Sequence, residues 1–243
     1  MIKAWHERQH YLPGPCGWLV NPFYFARRGL WLGLSEFFPR LQGAVLDVGC
    51  GRKPYRAFVP AMNYMGVDID TAVTRELAAA EVFYDGRRLP FPDRQFDAVL
   101  CSQVLEHVFT PEEFLAEIHR VLRPGGTLLL TVPFVWDEHE QPADFARYSS
   151  FGLRALLERS GFAVAEQRKT CTDFRAVVQL ASGALFKVTH TRNRWVNLLA
   201  QLALLAPVNA VGGLLAWVLP GNPDLYLDNI VLAHRAPGRA AGS

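Results

Sequence analysis

Neither sign of charge dominates this sequence, whose 243 residues include 25 Lys and Arg against 23 Asp and Glu. Proteins that bind nucleic acid usually carry a basic excess that neutralises phosphate groups, and that excess is missing here. The first ten residues also lack the apolar stretch of a signal peptide, because they mix His6, Glu7 and Arg8. We therefore expect a cytoplasmic protein without a nucleic-acid partner.

Cysteine is scarce, and the few residues are scattered at Cys16, Cys50, Cys101 and Cys171. They show neither the short paired spacings of a zinc site nor the density of a disulfide-stapled domain. The pattern is typical of reduced thiols inside the cell. His139 and Glu140 also lack a convincing third ligand, so the sequence predicts no metal site.

What the chain does contain is an alternation, from Ala44 onward, of short apolar runs with segments of helical period. The predicted strands are Ala44 to Cys50, Tyr64 to Asp70, Glu81 to Asp85, Phe96 to Ser102, Gly126 to Val132, Phe162 to Lys169 and Leu225 to His234. This alternation is typical of parallel strands joined by crossover helices. It predicts an α/β fold of the Rossmann-like type, with a seven-stranded, mostly parallel sheet and helices on both faces.

Two helices in this region have clear boundaries. The T-P-E-E run from Thr110 predicts a capping box at a helix start, and Pro124 with Gly125 predicts its end. A second helix is predicted from Ser150 to Ser160, where Gly161 can take the left-handed position after the last turn.

Ahead of the first strand, Asn21 and Pro22 predict a helix that continues to about Phe38, over the sheet or the pocket mouth. We therefore predict a helical cap at 1–43 and a main domain at 44–235. A helical, uncharged insertion at about 171–224 interrupts this domain, and a flexible tail follows at 236–243.

The first predicted strand ends in an acidic residue and a G-x-G turn, from Asp47 to Gly51. Glycines there let the backbone approach a ligand closely, although a lone G-x-G also fits a plain tight turn. About seventeen residues later the second strand ends at Asp68, where a carboxylate can accept hydrogen bonds from both ribose hydroxyls of an adenosine. A dinucleotide is disfavoured, because Arg52 and Lys53 follow Gly51 in place of a third glycine.

Five motifs follow one another between residues 44 and 131. They are V-L-D-V-G-C-G from Val45, G-V-D-I-D from Gly66, D-G-R-R-L-P-F-P-D-R-Q-F-D-A-V from Asp85, V-L-E-H-V from Val104 and L-R-P-G-G from Leu122. In this order and spacing they resemble the class I methyltransferases, and among them the branch that includes ubiquinone and menaquinone biosynthesis enzymes. The resemblance implies that the last strand of the sheet is antiparallel and that the cofactor is S-adenosyl-L-methionine.

The resemblance also implies which residues hold that cofactor. Asp47 would lie near its amino group and Asp68 would hold the ribose. The predicted cofactor-binding residues are Asp47, Gly49, Cys50, Gly51, Asp68, Ile69, Asp85, Gly86 and Gln103. In this set Gly49 to Gly51 would pass the methionine end, Asp85 with Gly86 would meet the adenine, and Gln103 would border the sulfonium. The sequence departs from the family at Lys53, where many relatives carry a third glycine.

The segment that follows the fifth strand, from Pro133 to Tyr148, is dense in polar side chains. Ligands in this architecture bind beyond the carboxyl ends of the strands, so we expect this segment to line the acceptor site. It resembles the stretch H-x-x-P-x-D-x-x-R followed by Tyr or Phe of bacterial methyltransferases of this branch. Many of those are linked to surface polysaccharide or secondary metabolite pathways.

His139 is the candidate general base for a hydroxyl acceptor, because imidazole titrates near neutral pH. The alternative is that it orders the loop through Asp144 or Arg147. His107 suits either the pocket wall or a structural role, and Arg147 with Tyr148 could bind an anionic or sugar acceptor or belong to an ion pair with Asp144. The predicted substrate-binding residues are therefore His107, Asp144, Arg147 and Tyr148.

One long stretch, Val196 to Pro220, contains no charged residue and could cross a bilayer as a straight helix. A single span conflicts with a seventh strand that returns to the sheet, so Pro207 and the Gly212-Gly213 pair predict a break between two segments. Asn197, Gln201 and Asn209 argue against full lipid exposure.

Three interpretations of 196–220 stay open: a lid, a dimer face, or a peripheral contact with the inner face of a membrane. In the last case Lys187, Arg192 and Arg194 would meet anionic headgroups.

The sequence thus favours an enzyme that methylates a small-molecule, glycan or lipid-linked acceptor, at oxygen in preference to carbon or nitrogen. Methyl transfer is an in-line displacement, so positioning and exclusion of water matter most and a general base is optional. Two other classes are compatible with parts of the sequence: a non-catalytic cofactor-binding or scaffold protein, and a nucleotide-dependent oxidoreductase. The latter lacks its pyrophosphate-binding glycines here.

Overall fold

The computed structural model describes residues 2–77 and 79–237, and its strands form one seven-stranded sheet. The strands are β1 (Ala44–Val48), β2 (Asn63–Ile69), β3 (Val82–Tyr84), β4 (Phe96–Ser102), β5 (Leu122–Pro133), β6 (Phe162–Lys169) and β7 (Asp228–Arg235). Their order is β3-β2-β1-β4-β5-β7-β6. The first five are parallel neighbours, and β7 lies antiparallel between β5 and β6. The predicted fold class is confirmed.

The α-helices are α1 (Ile2–Tyr11), α2 (Tyr24–Ser35), α3 (Ala72–Leu77), α4 (Pro111–Val121), α5 (Ser150–Arg159), α6 (Arg175–Thr189), α7 (Arg194–Ala200) and α8 (Ala206–Val218). A π-helical turn, Gln201–Leu205, joins the last two. Short 3₁₀ helices lie at Pro15–Leu19, Phe38–Arg40, Arg56–Phe58 and Leu105–His107.

The chain divides into two compact units. The first contains Met1–Leu34, Val135–Asp137 and Lys169–Asp228, and the second contains Ser35–Phe134, Glu138–Arg168 and Asn229–Ser243. The predicted division into cap, main domain with insertion, and tail stays a prediction. Residues 238–243 of the predicted tail lie outside the described residues.

The second unit holds the main hydrophobic core. Its strands are apolar runs because parallel strands covered on both faces bury every side chain. Helix α4 adds a buried face made of Phe114, Leu115, Ile118 and Val121. The core therefore fixes the strand ends that carry the predicted functional residues.

The two predicted helix starts in this unit differ in their capping. Ser149 accepts a 3.2 Å hydrogen bond from the Gly152 backbone N–H at the start of α5. Thr110 stands at the N-cap of α4 without a side-chain capping bond, so the predicted capping box is wrong. Its backbone lies at φ −114° and ψ 74° and does not present the hydroxyl to the first turn.

Strand β5 also begins earlier than predicted, at Leu122 in place of Gly126. Leu122 pairs with Phe96, and an irregularity between Phe96 and Ala98 then shifts the register. An irregular pairing of this kind leaves no periodic pattern in the sequence. Pro124 and Gly125 therefore indicate the end of the preceding helix, and nothing in the sequence shows that they also belong to a strand.

In the first unit, the buried amide of Gln179 joins α6 to the start of α2. Its Oε1 accepts from the backbone N–H groups of Phe25 and Ala26 at 2.9 and 3.1 Å, and its Nε2 donates to the Pro22 carbonyl at 2.9 Å. A buried side chain with both ends satisfied specifies one packing arrangement.

The uncharged stretch forms one continuous helix, Arg194–Val218, which we call the long helix, so the predicted break at Pro207 is wrong. The π-helical turn just before Pro207 supplies the local widening that a proline without an N–H requires. Gly212 serves packing instead, because a Cβ there would overlap Val178 of α6. This 25-residue helix is long and apolar enough to cross a membrane. Core helices of soluble proteins can have the same length and composition.

Candidate active site

The turn that follows β1 has the backbone shape that its glycines predict. Gly49 and Gly51 adopt φ values of 66° and 50°, a region that favours glycine. A Cβ on Gly49 would overlap Val104, whereas a Cβ on Gly51 would meet nothing within 4 Å. Gly51 therefore borders open space, as a backbone that a ligand approaches closely should.

At the end of β1, the buried carboxylate of Asp47 accepts a 2.5 Å hydrogen bond from the hydroxyl of Tyr64. Burial raises the pKa of Asp47 to about 7, although the Tyr64 hydroxyl and the Lys53 charge oppose that rise. The nearby thiol of Cys50 has its pKa raised to about 12 by burial, so it stays neutral. Cys50 can therefore contribute its backbone but no thiolate.

At the end of β2, Asp68 is tied to the glycine turn. Its Oδ2 accepts from the Gly51 backbone N–H at 2.9 Å, and its Oδ1 accepts from its neighbour Ile69 at 2.8 Å. Burial raises the pKa of Asp68, and the two N–H groups oppose this. Each carboxylate oxygen keeps a further lone pair, so two hydroxyls can still be accepted.

Lys53, which departs from the family pattern, occupies a backbone conformation that suits glycine, with φ 52°. Its ammonium group pairs with both oxygens of Glu81. Its stem passes over Gly66, where a Cβ would overlap Lys53 Cε. The ion pair with Glu81 and the contact with Gly66 thus stabilise a lysine in a backbone conformation that glycine could adopt without them.

After β3, Gly86 adopts φ 80° and brings its backbone against the Ile69 side chain, 3.3 Å from the place where a Cβ would stand. Asp85 is exposed and accepts from the backbone N–H groups of Arg87 and Arg88 at 2.9 and 3.3 Å. These N–H groups lower the pKa of Asp85, so it stays charged. The structure thus places Ile69 beside Gly86, on adjacent strand ends.

After β4, Gln103 also has a positive φ, 58°. Its Nε2 donates to the Thr131 hydroxyl at 3.2 Å, and Ser102 shares that hydroxyl at 2.9 Å. These bonds hold Gln103 just past the end of β4 and beside β5, and its place at the sulfonium stays a prediction.

The polar loop, defined here as residues 138–148, meets the segment after β4. The Phe145 and Ala146 backbone N–H groups donate to the Glu106 carbonyl at 2.8 and 3.2 Å. His107 Nδ1 lies 2.7 Å from the Ala143 carbonyl, and the His107 and His139 rings meet edge to face with centroids 4.8 Å apart. A carbonyl can only accept, so His107 carries its proton on Nδ1.

Asp144 organises the polar loop. Its carboxylate accepts two hydrogen bonds from the Arg147 guanidinium, at 2.6 and 2.7 Å, and one from the His139 backbone N–H at 2.9 Å. The His139 Nδ1 atom lies 3.3 Å from the same carboxylate. The Arg147 guanidinium holds the pKa of Asp144 well below its usual range. The loop-ordering contacts considered for His139 are therefore present, and its role as a base stays a prediction.

Tyr148, the last residue of the polar loop, packs partly buried against the main core. Its backbone N–H donates to the Pro133 carbonyl, and its carbonyl accepts from Asn229 at 2.8 Å. Burial raises the pKa of Tyr148 to about 12, so the phenol stays protonated. These contacts place Tyr148 as an anchor of the loop end.

Three residues near the site escaped sequence reasoning: Tyr64, Glu81 and the fully buried Glu106. Tyr64 contacts Asp47 and Glu81 contacts Lys53, 17 and 28 positions away in the chain, so no local pattern marks them. Glu106, His107 and His139 offer ligand atoms within 4.8 Å of one another. The absence of a metal stays a prediction.

Comparison with known proteins relates this sheet and its strand-end residues to methyltransferases. A family model described as a methyltransferase domain matches residues 46–130, the stretch that contains β1 to β4 and most of β5. A crystal structure of an S-adenosylmethionine-dependent methyltransferase from Mesorhizobium loti covers 87% of this chain and 100% of its own, with a TM-score of 0.54 and 17% identity. At that identity the likeness shows the fold alone.

Two relatives from Mycolicibacterium smegmatis are similar to part of the chain. A probable S-adenosylmethionine-dependent methyltransferase is 32% identical over 133 residues, which is 49% of this chain and 52% of the relative. A fatty-acid O-methyltransferase is 41% identical over 100 residues, or 36% of each chain. The chain thus spans about half the length, or less, of these relatives. The quinone-biosynthesis branch stays a prediction.

Proposed function

This chain carries a class I S-adenosylmethionine-dependent methyltransferase domain, and from that premise we propose that it methylates an oxygen atom of a small-molecule, glycan or lipid-linked acceptor. The observation that carries the proposal is the polar loop, which brings His139 and its Asp144 partner against His107 at the end of β4. Phe145 and Ala146 of the same loop donate to the Glu106 carbonyl just past β4. The loop therefore lies on the side of the sheet that holds the predicted cofactor residues.

The residues at the strand ends fit the cofactor. Gly51 leaves open space above its Cα, and Asp68 keeps lone pairs for two hydroxyls. Asp47 offers a buried carboxylate for an ammonium group, and Ile69 with Gly86 offers an apolar surface beside Asp85. When bound, S-adenosylmethionine supplies an electrophilic methyl group on its sulfonium.

His139 is our candidate for the group that takes the acceptor's proton. The Asp144 carboxylate, 3.3 Å from Nδ1, favours a proton on that nitrogen and leaves the Nε2 lone pair as the base. The Arg147 guanidinium, 3.4 Å from Nδ1, opposes this tautomer, but its two shorter bonds go to Asp144. Arg147 therefore fixes the carboxylate, and the carboxylate fixes the imidazole.

An oxygen acceptor suits this arrangement because a hydroxyl must lose its proton as it is methylated, and His139 provides a site for it. The similarity to a fatty-acid O-methyltransferase supports an oxygen acceptor and extends the proposal to acceptors that carry an apolar chain. The balanced charge of the chain supports an acceptor other than nucleic acid.

The test is release of S-adenosylhomocysteine by the purified chain with a panel of fatty acids, hydroxylated aromatics, glycans and lipid-linked sugars, with RNA as a further arm. With an acceptor that reacts through a hydroxyl, His139→Gln should lower kcat by about 10²- to 10⁴-fold at unchanged cofactor affinity. The matched control is His119→Gln, since His119 lies on α4 and packs against Phe162. Equal activity of both variants would remove His139 from the proposal.

The same panel separates the enzyme from a non-catalytic binding protein. Calorimetry with S-adenosylhomocysteine measures the cofactor site independently of turnover. Binding without turnover on any acceptor would overturn catalysis and favour the scaffold, and a failure to bind would overturn the cofactor assignment for the whole chain.

A further inference from the structure

The long helix, Arg194–Val218, buries polar side chains and exposes apolar ones, the reverse of an ordinary surface helix. Its polar residues Gln201 and Asn209 are buried, whereas apolar side chains lie outside. Those that are more than half exposed are Trp195, Leu199, Val211, Leu214, Trp217 and Val218. Of the most apolar 18-residue window of this helix, 28% is buried. An apolar surface of this extent marks a contact with a partner.

Hydrogen bonds hold the polar side of the helix inward. Asn209 Nδ2 donates to the Trp18 carbonyl at 3.1 Å, and Asn209 Oδ1 accepts from the Ser182 hydroxyl at 3.2 Å. Gln201 Nε2 donates to the Leu19 carbonyl at 3.3 Å. These hydrogen bonds therefore fix the orientation of the helix about its axis. A rotation that buries Trp217 would leave the amides of Gln201 and Asn209 without these partners.

The charges around the helix indicate the chemistry of its partner. No acidic residue stands between Asp173 and Asp224, whereas Arg192 and Arg194 are exposed at the start of the helix. The Arg194 guanidinium lies over the Trp195 ring, 4.8 Å from its centroid. Arginine and tryptophan together are typical of the boundary between headgroups and acyl chains.

We propose that the exposed face of the long helix docks on the surface of an anionic bilayer and lies in the plane of that surface. Trp195 and Trp217 would enter the interface near opposite ends of the helix, and Arg192 with Arg194 would meet lipid phosphates. A spanning orientation is disfavoured, because Gln201 and Asn209 bind residues 18 and 19 of the same unit along one side.

A second copy of the chain fits this face less well. A two-fold contact between identical helices pairs the surface with itself, so the arginines of each copy would need acidic partners on the other. The helix and its flanks contain none between Asp173 and Asp224. Anionic headgroups supply the missing charge.

The test is flotation of the full chain with phosphatidylcholine vesicles, with and without phosphatidylglycerol. The chain should float with the anionic vesicles, and Trp217→Ser should lower the bound-to-free ratio by about tenfold. Phe151→Ser is the matched control, because Phe151 on α5 is also 84% exposed. Arg192→Gln and Arg194→Gln should each lower binding to anionic vesicles by about fivefold and leave binding to neutral vesicles unchanged.

Two results would overturn the proposal: no flotation of the wild-type chain with anionic vesicles, or equal losses in Trp217→Ser and Phe151→Ser. A wild-type dimer that Trp217→Ser converts to a monomer, with no vesicle binding, would assign the face to a second copy instead. Calorimetry with S-adenosylhomocysteine shows whether each variant is folded. The proposal does not depend on methyl transfer, so either can fail alone.

Discussion

The hydroxyl of Tyr64 on β2 donates a 2.5 Å hydrogen bond to the carboxylate of Asp47 on the adjacent strand β1. The two residues are 17 positions apart in the chain. This bond stabilises the charged form of a carboxyl whose burial favours the neutral form, and the balance leaves its pKa at about 7. The protonation of Asp47, one of the predicted cofactor residues, therefore changes within the physiological range.

Cofactor affinity should consequently rise with pH up to about pH 7 and then level off. Below that pH the ligand-free protein holds a proton on Asp47, and an ammonium group must displace it, which costs up to about tenfold in affinity per pH unit. Calorimetry with S-adenosylhomocysteine from about pH 6 to about pH 8 measures this. Asp47→Asn should bind more weakly and without this pH dependence. A flat wild-type profile would show that Asp47 does not pair with the amino group.

Tyr64→Phe should move the midpoint of that profile upward by about one pH unit, since the lost hydrogen bond favoured the carboxylate.

The stability of the ligand-free protein should change with pH in the opposite direction to its cofactor affinity. The Asp47 pKa rises from 3.8 to about 7 on folding, so the ligand-free protein loses stability from this group as pH increases between those values. Asp47→Asn should not show this loss in thermal unfolding.

The space between Gly66 and Lys53 predicts a coupled pair of substitutions. Gly66→Ala should lower the free energy of unfolding by about 2 kcal/mol, because its Cβ would overlap Lys53 Cε and Cys50 Sγ. Lys53→Gly in the same chain should restore about half of that, since glycine removes the stem and suits the positive φ. Urea unfolding measures both. Gly183→Ala, in α6 with nothing within 4 Å of its Cβ, is the control that should not destabilise.

The order of the polar loop should depend on Asp144. Asp144→Asn removes the carboxylate that binds Arg147 twice and the His139 backbone once, and should cost about 2 kcal/mol of stability. We also expect a fall in kcat of at least about tenfold with little change in cofactor KM. Asp93→Asn serves as the comparison, because Asp93 is exposed and its pair with Arg120 should contribute less than about 1 kcal/mol. Equal stability losses would contradict a special role for Asp144.

The two helix starts of the second unit predict opposite outcomes for the same kind of substitution. Ser149→Ala should cost about 1 kcal/mol, because it removes the bond from the Gly152 N–H. Thr110→Ala should change stability by less than about 0.5 kcal/mol, since Thr110 makes no side-chain capping bond. Thermal unfolding of both variants would show the difference, and a larger loss from Thr110→Ala would restore the capping box.

The strands, and the strand ends at which the predicted cofactor residues lie, could be predicted from the sequence because the signals are local. A buried parallel strand is an apolar run, and the residues that follow it must lie at the carboxyl edge of the sheet. Asp47, Asp68 and Gln103 are found at strand ends for this reason. The capping box and the start of β5 were predicted wrongly, because each depends on one dihedral angle or one irregular pair.

The contacts between distant residues could not be predicted. Lys53 and Glu81 are 28 positions apart, and only the fold shows that their ion pair accompanies a positive-φ backbone that suits glycine. The continuity of the long helix through Pro207 also escaped prediction, because a π-helical turn has no distinct sequence pattern. Such features depend on how neighbouring elements pack.

The place of β7 in the sheet has a consequence for synthesis on the ribosome. β7 is made after β5 and β6, yet it lies between them in the sheet. Until residues 228–235 emerge, β6 has no neighbour in the sheet, and the apolar Arg194–Val218 segment has already left the exit tunnel. The nascent chain therefore exposes an unpaired strand edge and an apolar helix at the same time. During this interval a chaperone or a bilayer would protect the chain from aggregation.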